Sequence, residues 1–317
     1  MKTRNILLYT IASLCACVAL SCKETAGKKY TDTISSGVIS ISVDESFAPI
    51  IDQEIAAFEN IYTQAAIIPL YHSEVEALNL LIQDSVRMAI ATRDLTDGER
   101  AALEQKKLFA KSEKIATDAI ALIINRENPD SLLTTAQLKQ ILSGEITSWK
   151  QINPRSRLGD ISFVFDNPNS GTLRYLRDTL SAGRALSDKL FAQKDNRDVI
   201  DYVTQTPGAL GVVGFSWVYD ASDTTRLSFD PKIRVMGVTD QAEAHSYNAN
   251  KPYQYYLATG EYPLARDVYA ITTDSHNGLA TGFTTFLASF RGQRIILRAG
   301  LLPATQSLRL VNVRENI

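Results

Sequence analysis

The stretch VFDNPNSGTLRYLRD, residues 164–178, joins three local patterns that together indicate how this chain folds. It begins as an apolar strand and continues through a polar turn. Leu173, Leu176 and Leu180 then recur at helical spacing. The stretch therefore predicts a strand, a tight turn and the N-terminus of a helix.

The turn of this stretch carries the tripeptide Ser170-Gly171-Thr172 directly before the helix. The first backbone N–H groups of a helix have no partner within the helix, and the helix dipole places positive charge there. Two hydroxyl donors and a glycine that permits close approach can therefore hold an anion at this point. Ser and Thr also cap helices that bind nothing. From these residues alone, a plain helix cap and a ligand-binding loop both remain open.

The bulk composition is that of an ordinary globular protein. The chain has 317 residues, of which 45% are hydrophobic and 21% charged, and its formal net charge is −2. This length favours two lobes, each with its own core. A nearly neutral chain without a basic cluster is not a general nucleic-acid binder or a membrane-surface protein. Any anion site must therefore be local.

The N-terminus has the three-part pattern of a secretory signal peptide. Lys2 and Arg4 precede an apolar run at 6–20, which is too short for a comfortable membrane span. We therefore expect residues 1–21 to be a signal peptide and residues 22–36 to be a flexible tether.

All three cysteines of the chain lie in or at the end of this N-terminal region. The position of Cys22 resembles a bacterial lipoprotein signal, in which the first cysteine after the cleavage point is lipidated. Cys17 is an alternative, although it would leave the apolar residues 18–20 at the start of the mature chain. Cleavage that leaves Cys22 unlipidated is the other alternative. The favoured interpretation is attachment to a membrane through a lipid on Cys22.

Predicted strands and helices alternate through the rest of the chain, which favours an α/β fold with a mostly parallel sheet. Apolar runs at 119–125 and 233–238 are predicted to cross between two lobes. Lobe 1 is expected to comprise residues 37–124 and 233–317, and lobe 2 residues 125–232. Two lobes joined by two strands are typical of a hinged binding protein that holds its ligand between them.

Loops that carry hydroxyl groups follow several of the predicted strands. Ligands of open α/β sheets bind at the carboxyl ends of the strands, so these loops are expected to converge. Hydroxyl and backbone donors, together with a single arginine, suit a small oxyanion. The candidate ligand-binding residues in these loops are Ser46, Phe47, Ser73, Thr92, Arg93, Ser170, Gly171 and Thr172.

Common catalytic and metal-binding motifs are missing from the sequence. No Gly-rich run ends in Gly-Lys-Ser/Thr, and neither Gly-x-Ser-x-Gly nor Ser-x-x-Lys occurs. The three histidines, His72, His245 and His276, lie in unrelated contexts. The sequence thus predicts no cofactor, no metal site and no enzymatic activity.

Five short motifs, in the same order, resemble those of the PstS-like phosphate-binding lipoproteins of bacterial ABC transporters, a group of periplasmic binding proteins. The resemblance covers nearly all of the mature sequence. The motifs are Ser46-Phe47-Ala48-Pro49, residues 138–149 with Gly144-Glu145-Ile146 and Trp149, Ser170-Gly171-Thr172, Pro207-Gly208-Ala209-Leu210-Gly211, and Glu261-Tyr262-Pro263-Leu264.

Two charged positions depart from the pattern of that family. The family has an arginine four residues before the Ser of Ser-Gly-Thr, where this chain has Asp166, and an aspartate in the third loop, where this chain has Arg93. The resemblance thus implies a site with the two charges interchanged. Asp166 would accept the proton of a hydrogen phosphate, which sulfate lacks, and Arg93 would donate to the phosphate oxygens. Alternatively, Arg93 only pairs with Asp94 or Asp97, and Asp166 only forms a turn.

The resemblance implies a two-lobe periplasmic binding protein-like fold (type II), with mixed, mostly parallel sheets and a two-strand hinge. It also implies a monomeric periplasmic protein that captures inorganic phosphate and delivers it to the permease subunits of an ABC transporter. Binding of another oxyanion or of a phosphorylated small molecule remains an alternative. A sensor or adhesion module on the same fold is a third hypothesis.

Overall fold

The computed structural model describes residues 31–182, 185–219 and 228–306. The predicted signal peptide, the expected lipidation site Cys22 and residues 23–30 of the predicted tether lie outside the described residues. Asp32, which the sequence places in the tether, is held by the body of the fold. It accepts hydrogen bonds from Arg87 and from the backbone N–H of Leu279.

Strands and helices alternate through the first part of the chain, as the sequence predicts. The strands are β1 (Ser36–Asp44), β2 (Gln64–His72), β3 (Met88–Ala91), β4 (Lys111–Asn125), β5 (Leu132–Thr134), β6 (Ser162–Phe165), β7 (Phe191–Ala192), β8 (Ala209–Gly214), β9 (Ile233–Val235), β10 (Gly237–Thr239), β11 (Ala265–Thr272) and β12 (Leu302–Pro303). The α-helices are α1 (Ala48–Ile61), α2 (Glu74–Ile82), α3 (Asp97–Gln105), α4 (Thr135–Ser143), α5 (Trp149–Ile152), α6 (Gly171–Leu180), α7 (Asn196–Gln205), α8 (Gln254–Ala258), α9 (Leu279–Ala288) and α10 (Phe290–Arg298). Short 3-10 helices cover Glu45–Phe47 and Phe215–Trp217.

The described strands form one large mixed sheet and a separate two-stranded sheet. The large sheet has the order β2-β1-β3-β11-β4-β8-β6-β7, and β9 and β12 also pair with β4. Its two ends are parallel, whereas the pairs that involve β4 and β11 are antiparallel. Strands β5 and β10 form the small parallel sheet. The predicted α/β fold is confirmed, with a mixed sheet.

The long strand β4 joins the two ends of the large sheet. Its first half pairs with β11, and its second half, Ile120 to Ile124, pairs with β8. These five residues are apolar and completely buried, which suits a strand covered on both faces. The predicted strand at 119–125 is therefore the second half of a longer element. The predicted strand at 233–238 is divided at Met236 into β9 and β10, which pair with β4 and β5.

The C-terminal helices differ from the sequence prediction. The apolar periodicity of residues 278–291 predicts a single helix, but the structure has α9 and α10 separated by Ser289. The backbone of Ser289 is extended (φ −73°, ψ 163°), and its side chain accepts a hydrogen bond from the N–H of Gly292. A serine cap therefore starts a new helix where apolar periodicity alone suggested continuity. Among the helices that the structure describes, none is long and apolar enough to cross a membrane.

Candidate functional site

Four of the predicted hydroxyl loops lie at the carboxyl ends of strands, where a helix follows. Strands β1, β2 and β3 are parallel neighbours, so their carboxyl ends meet at one edge of the sheet. Strand β6 delivers the Ser170-Gly171-Thr172 turn in the same way. The hydroxyl-bearing residues of these loops are all buried: Ser46, Ser73, Thr92, Ser170 and Thr172.

Two of these serines cap helices. The side chain of Ser73 accepts a hydrogen bond from the N–H of Glu76 at the start of α2. Ser170 accepts one from the N–H of Leu173 at the start of α6. The cap interpretation of the tripeptide therefore describes Ser170 well. It does not account for the surroundings of Gly171.

Gly171 brings α6 into close contact with three other elements. A Cβ atom at this position would lie 2.6 Å from Oδ2 of Asp44, 2.8 Å from Oγ1 of Thr92 and 3.0 Å from Oε1 of Glu74. No residue with a side chain fits this contact without moving polar groups of the neighbouring loops. The glycine thus lets the helix N-terminus reach the ends of β1 and β3.

Arg266, on β11, is one of two arginines that the structure places among these loops; the other is Arg174. Arg266 is 3% exposed, and its Nε donates to Oδ2 of Asp118 at 3.0 Å. Its Nη2 lies 3.0 Å from the same oxygen, and its Nη1 donates to Oγ1 of Thr172 at 3.2 Å. The guanidinium also lies 5.4 Å from the centre of the Phe47 ring. Four parts of the chain therefore meet at this side chain.

Sequence reasoning missed Arg266, although the strand pattern contains a signal for it. Along β11, Arg266, Val268 and Ala270 occupy alternate positions, and all three are buried. An arginine on the apolar face of a strand must have a buried partner, because an unpaired buried charge is strongly unfavourable. The alternation therefore predicts that Arg266 is buried, but it does not identify Asp118 as the partner.

Several buried polar atoms around Arg266 have no hydrogen-bond partner in the protein. In native proteins such atoms are uncommon, and each one calls for an explanation. A concentration of them at converging loops indicates a site for a polar ligand. They are Asp44 Oδ2, Ser46 Oγ, Asp118 Oδ1, Asp166 Oδ1 and Arg266 Nη2.

The two charges that depart from the family pattern lie in different places. Asp166 is fully buried beside the loops, and its Oδ2 accepts a hydrogen bond from Asn196 at 3.3 Å. Arg93 instead forms a two-bond ion pair with Glu99, at 2.7 and 2.8 Å, and donates to the carbonyl of Asp94. The structure thus brings Asp166 to the site and turns Arg93 toward the N-terminus of α3. Neither of the predicted partners of Arg93, Asp94 and Asp97, is its ion-pair partner.

Burial and crowding change the pKa values of the carboxyl groups in this site. Burial, opposed by Arg266 and reinforced by Glu74, raises the pKa of Asp44 to about 7. Burial also raises the pKa of Asp118 and that of Asp166, in each case against the attraction of Arg266. These carboxyl groups therefore hold protons more readily than an exposed aspartate does.

A second ion pair closes the other side of the site. Burial would raise the pKa of Glu74, but its hydrogen bonds with Arg174 and Thr92 and the charge of Arg174 hold it below the usual value. Arg174 also donates to Oγ1 of Thr92 at 2.8 Å. The Glu74–Arg174 pair is thus ionised and internally neutral, and it joins α2 to α6.

Comparison with known proteins identifies the family of this fold. The family model described as "PBP superfamily domain" matches residues 28–291. The chain belongs to the PBP superfamily. The fold of this PBP-superfamily chain is accordingly the two-lobe α/β fold of periplasmic binding proteins, with β4 as a strand common to both ends of the sheet.

Relatives and solved structures agree with this assignment. The chain is 24% identical to the phosphate-binding protein PstS of Borreliella burgdorferi over 311 residues, which is 95% of this chain and 99% of that protein. It is 22% identical to PstS of Bacillus subtilis over 317 residues, with 96% of each chain covered. A substrate-binding protein of Clostridium perfringens, solved with bound phosphate, superposes with a TM-score of 0.71 at 22% identity, covering 84% of this chain and 100% of that one. At 22% sequence identity, the similarity to this solved structure is evidence for the fold alone.

Proposed function

We propose that this protein captures inorganic phosphate between two lobes and delivers it to the permease of an ABC transporter. The observation that carries the proposal is the enclosed set of unpartnered donors around Arg266. Nη2 of Arg266 and Oγ of Ser46 are buried without a hydrogen-bond partner beside the N-terminus of α6, although Nη2 lies within ion-pair distance of Asp118. A guanidinium, a hydroxyl group and the N–H groups of a helix start are the donors that suit a phosphate group. The names of the similar proteins support the same ligand.

Discrimination against sulfate needs an acceptor for the proton of hydrogen phosphate. Asp118 is suited to this role, because Arg266 pairs with its Oδ2 and leaves its Oδ1 without a partner. A carboxylate oxygen in a dry site can accept the P–OH proton, whereas sulfate offers it no proton. Asp118 would then act as both counter-ion and selectivity group.

Closure of the two lobes would remove water from the site. We propose residues 37–124 and 233–317 as lobe 1 and residues 125–232 as lobe 2. Contacts between these segments surround the site: Arg174 with Glu74, and Oγ of Ser216 with the carbonyl of Ser46 at 2.7 Å. A permease that recognises the closed form would receive loaded protein only.

The N-terminal region would determine where the protein works. We propose that residues 1–21 direct export, that Cys22 carries a lipid anchor and that the protein works as a monomer in the periplasm. It would perform no reaction, since its role is to bind and release a solute. Radiolabelled palmitate incorporation, compared between the natural chain and Cys22→Ala, tests the anchor.

Ligand-dependent thermal stability tests the proposed phosphate binding directly. A ligand that binds only the folded state stabilises it by about 2.7 kcal/mol at a concentration of 100 Kd. We expect phosphate and arsenate to raise the Tm of the purified protein, and sulfate at the same ionic strength to leave it unchanged. A rise with sulfate, and none with phosphate, would overturn the proposal.

A further inference from the structure

The proposed phosphate site contains more buried acid than base. Asp44, Asp118 and Asp166 are at most 1% exposed, and each has one oxygen atom without a partner. Arg266 is the guanidinium among them, and it pairs directly with Asp118. The second guanidinium nearby, that of Arg174, is engaged with Glu74. If all three aspartates were ionised, one positive charge would face three negative ones.

Asp44 and Asp166 differ from Asp118 in having no ion pair in the described part of the chain. Oδ1 of Asp44 accepts the N–H of Ser46 at 3.0 Å, and Oδ2 of Asp166 accepts the side-chain amide of Asn196 at 3.3 Å. The second oxygen of each carboxyl group has no partner. Two weakly compensated carboxylates in a dry site would repel a phosphate dianion and each other.

The charged groups that surround these two carboxyls come from every neighbouring element. Asp44 faces Arg266 on β11, Glu74 on α2 and Asp166 after β6. Glu45, on the first 3-10 helix, faces Asp166, Asp44 and Asp195 and accepts a hydrogen bond from Asn196. Most of these neighbours are acids. The largest charge effect on both carboxyl groups nevertheless comes from Arg266 and favours their ionised forms, so burial is the cause that favours protons in the site.

We propose that phosphate binding takes up protons, which reside on the carboxyl groups of Asp44 and Asp166 and convert them from acceptors into donors to the ligand. This inference rests on the proposed function. A protonated carboxyl group donates one O–H bond and keeps acceptor capacity, so it satisfies both itself and a phosphate oxygen. Asp118 stays ionised as the partner of Arg266 and accepts the proton of the ligand. The site would then bind phosphate species together with protons drawn from solvent.

Burial already prepares the two carboxyl groups for this role. The pKa of Asp44 is raised to about 7 and that of Asp166 is raised by burial, so both can bind protons near neutral pH. A dianion placed beside them raises their pKa values further. Linkage then requires phosphate affinity to fall as the pH rises above neutrality, since deprotonation competes with binding.

The direction in which phosphate affinity changes with pH distinguishes binding with proton uptake from binding of the dianion alone. A site that accepts only the dianion, without proton uptake, would bind total phosphate more tightly as the pH rises through the second ionisation of phosphate. A site that takes up protons would bind it more weakly, by about tenfold per pH unit for each proton.

Isothermal titration calorimetry of the purified full-length protein with inorganic phosphate tests the inference. Titrations at pH 6, 7, 8 and 9, each in two buffers of different ionisation enthalpy, give both the Kd and the number of protons taken up. We expect uptake of one to two protons at pH 8, roughly what the linkage of two carboxyl groups allows. Affinity that is constant with pH, or proton release, would overturn this inference alone. Absence of phosphate binding at every pH would overturn the proposed function as well.

Amide variants locate the protons. Asp44→Asn and Asp166→Asn present an N–H donor at every pH, so each should reduce the pH dependence of Kd by about one proton, or tenfold per pH unit. The exposed Asp240→Asn is the matched control and should keep the natural slope. Loss of the slope in Glu45→Gln, with the slope intact in both aspartate variants, would show that the inference assigns the wrong groups. The proton count of the natural protein decides the inference on its own if a variant fails to fold.

Discussion

The loop that carries Arg93 and the strand that carries Arg266 place the same chemistry in opposite surroundings. Arg93 and Glu99 form a two-bond ion pair in which both side chains are 24% exposed. Arg266 and Asp118 form theirs with both side chains 1% exposed. Water can complete the hydrogen bonds of the first pair, whereas the second pair leaves Nη2 of Arg266 and Oδ1 of Asp118 without a hydrogen-bond partner.

This difference shows why an arginine that looks suitable in sequence need not serve a site. The Arg93 pair is complete, and it holds the pKa of Glu99 at about 2 through the hydrogen bonds from Arg93. The Arg266 pair is incomplete, and its guanidinium lies beside the hydroxyl loops that follow β1 and β6. Unsatisfied buried groups, rather than charge alone, distinguish a binding region from a stabilised loop.

The largest effect is expected from Arg266→Ala, with Arg93→Ala as its matched comparison. Arg266→Ala leaves Asp118 as an unpaired buried acid, which should lower the free energy of unfolding by about 3–5 kcal/mol and abolish the phosphate-induced rise in Tm. Arg93→Ala, the matched variant, removes a surface pair and should lower it by less than about 1 kcal/mol. Urea unfolding and thermal shifts measure both. A phosphate shift that survives Arg266→Ala but not Arg93→Ala would reverse the comparison.

A pair of glycines tests how tightly each region is packed. Gly171→Ala places a methyl group within 2.6 Å of Oδ2 of Asp44, so we expect a loss of about 1–3 kcal/mol and weaker phosphate binding. Gly98, in the helix next to Glu99, has nothing within 4 Å of the added atom. Gly98→Ala should therefore stabilise the helix by about 0.5–1 kcal/mol and leave binding intact. Equal effects of the two variants in urea unfolding would contradict the packing argument.

The two regions should respond to pH with opposite signs. The pKa of Asp44 in the folded protein, about 7, exceeds its ordinary value of 3.8, so ligand-free stability falls as the pH rises between these values. Asp44→Asn removes that loss and should stabilise the ligand-free protein by about 2 kcal/mol at pH 8. This is less than the full difference in pKa would give, because neighbouring acids titrate together with Asp44 and share the pKa shift. At pH 4 the gain should be small. Stability curves from pH 4 to 8 would disprove this if the variant gained nothing at high pH.

The smallest effect is expected at Glu99. Its pKa is lowered from 4.5 to about 2, so its contribution is present above pH 4.5 and is lost as the pH falls toward 2. Solvent screening of this partly exposed pair limits the loss in Glu99→Gln to less than about 1 kcal/mol at pH 7. Denaturant titrations at pH 7 and pH 3 should show that the difference in the free energy of unfolding between Glu99→Gln and the natural protein is smaller at pH 3. A difference that grows on acidification would show that Glu99 acts through another contact.

Local sequence patterns determined the secondary structure and most of the loops. The apolar run at 119–125 predicted the buried half of β4. Turn and cap residues predicted a helix from Thr172, and α6 begins at Gly171 with Ser170 as its cap, because the effect of such residues is confined to the adjacent backbone. The break at Ser289 was missed for the complementary reason. The apolar face of α9 and α10 continues past it, and a single serine cap is a weak signal within that pattern.

Only the tertiary structure decided which charges meet. Arg266 and Thr172 are 94 positions apart in sequence, and Arg266 and Asp118 are 148 apart. No local period connects such residues, so sequence reasoning chose Arg93, whose position in a motif was visible. The register of β11 on β4, which sets Arg266 opposite Asp118, buries both charges in the interior of the protein. Because the pair is buried, water cannot complete its hydrogen bonds. Burial depends on the folded chain and not on neighbouring residues in the sequence.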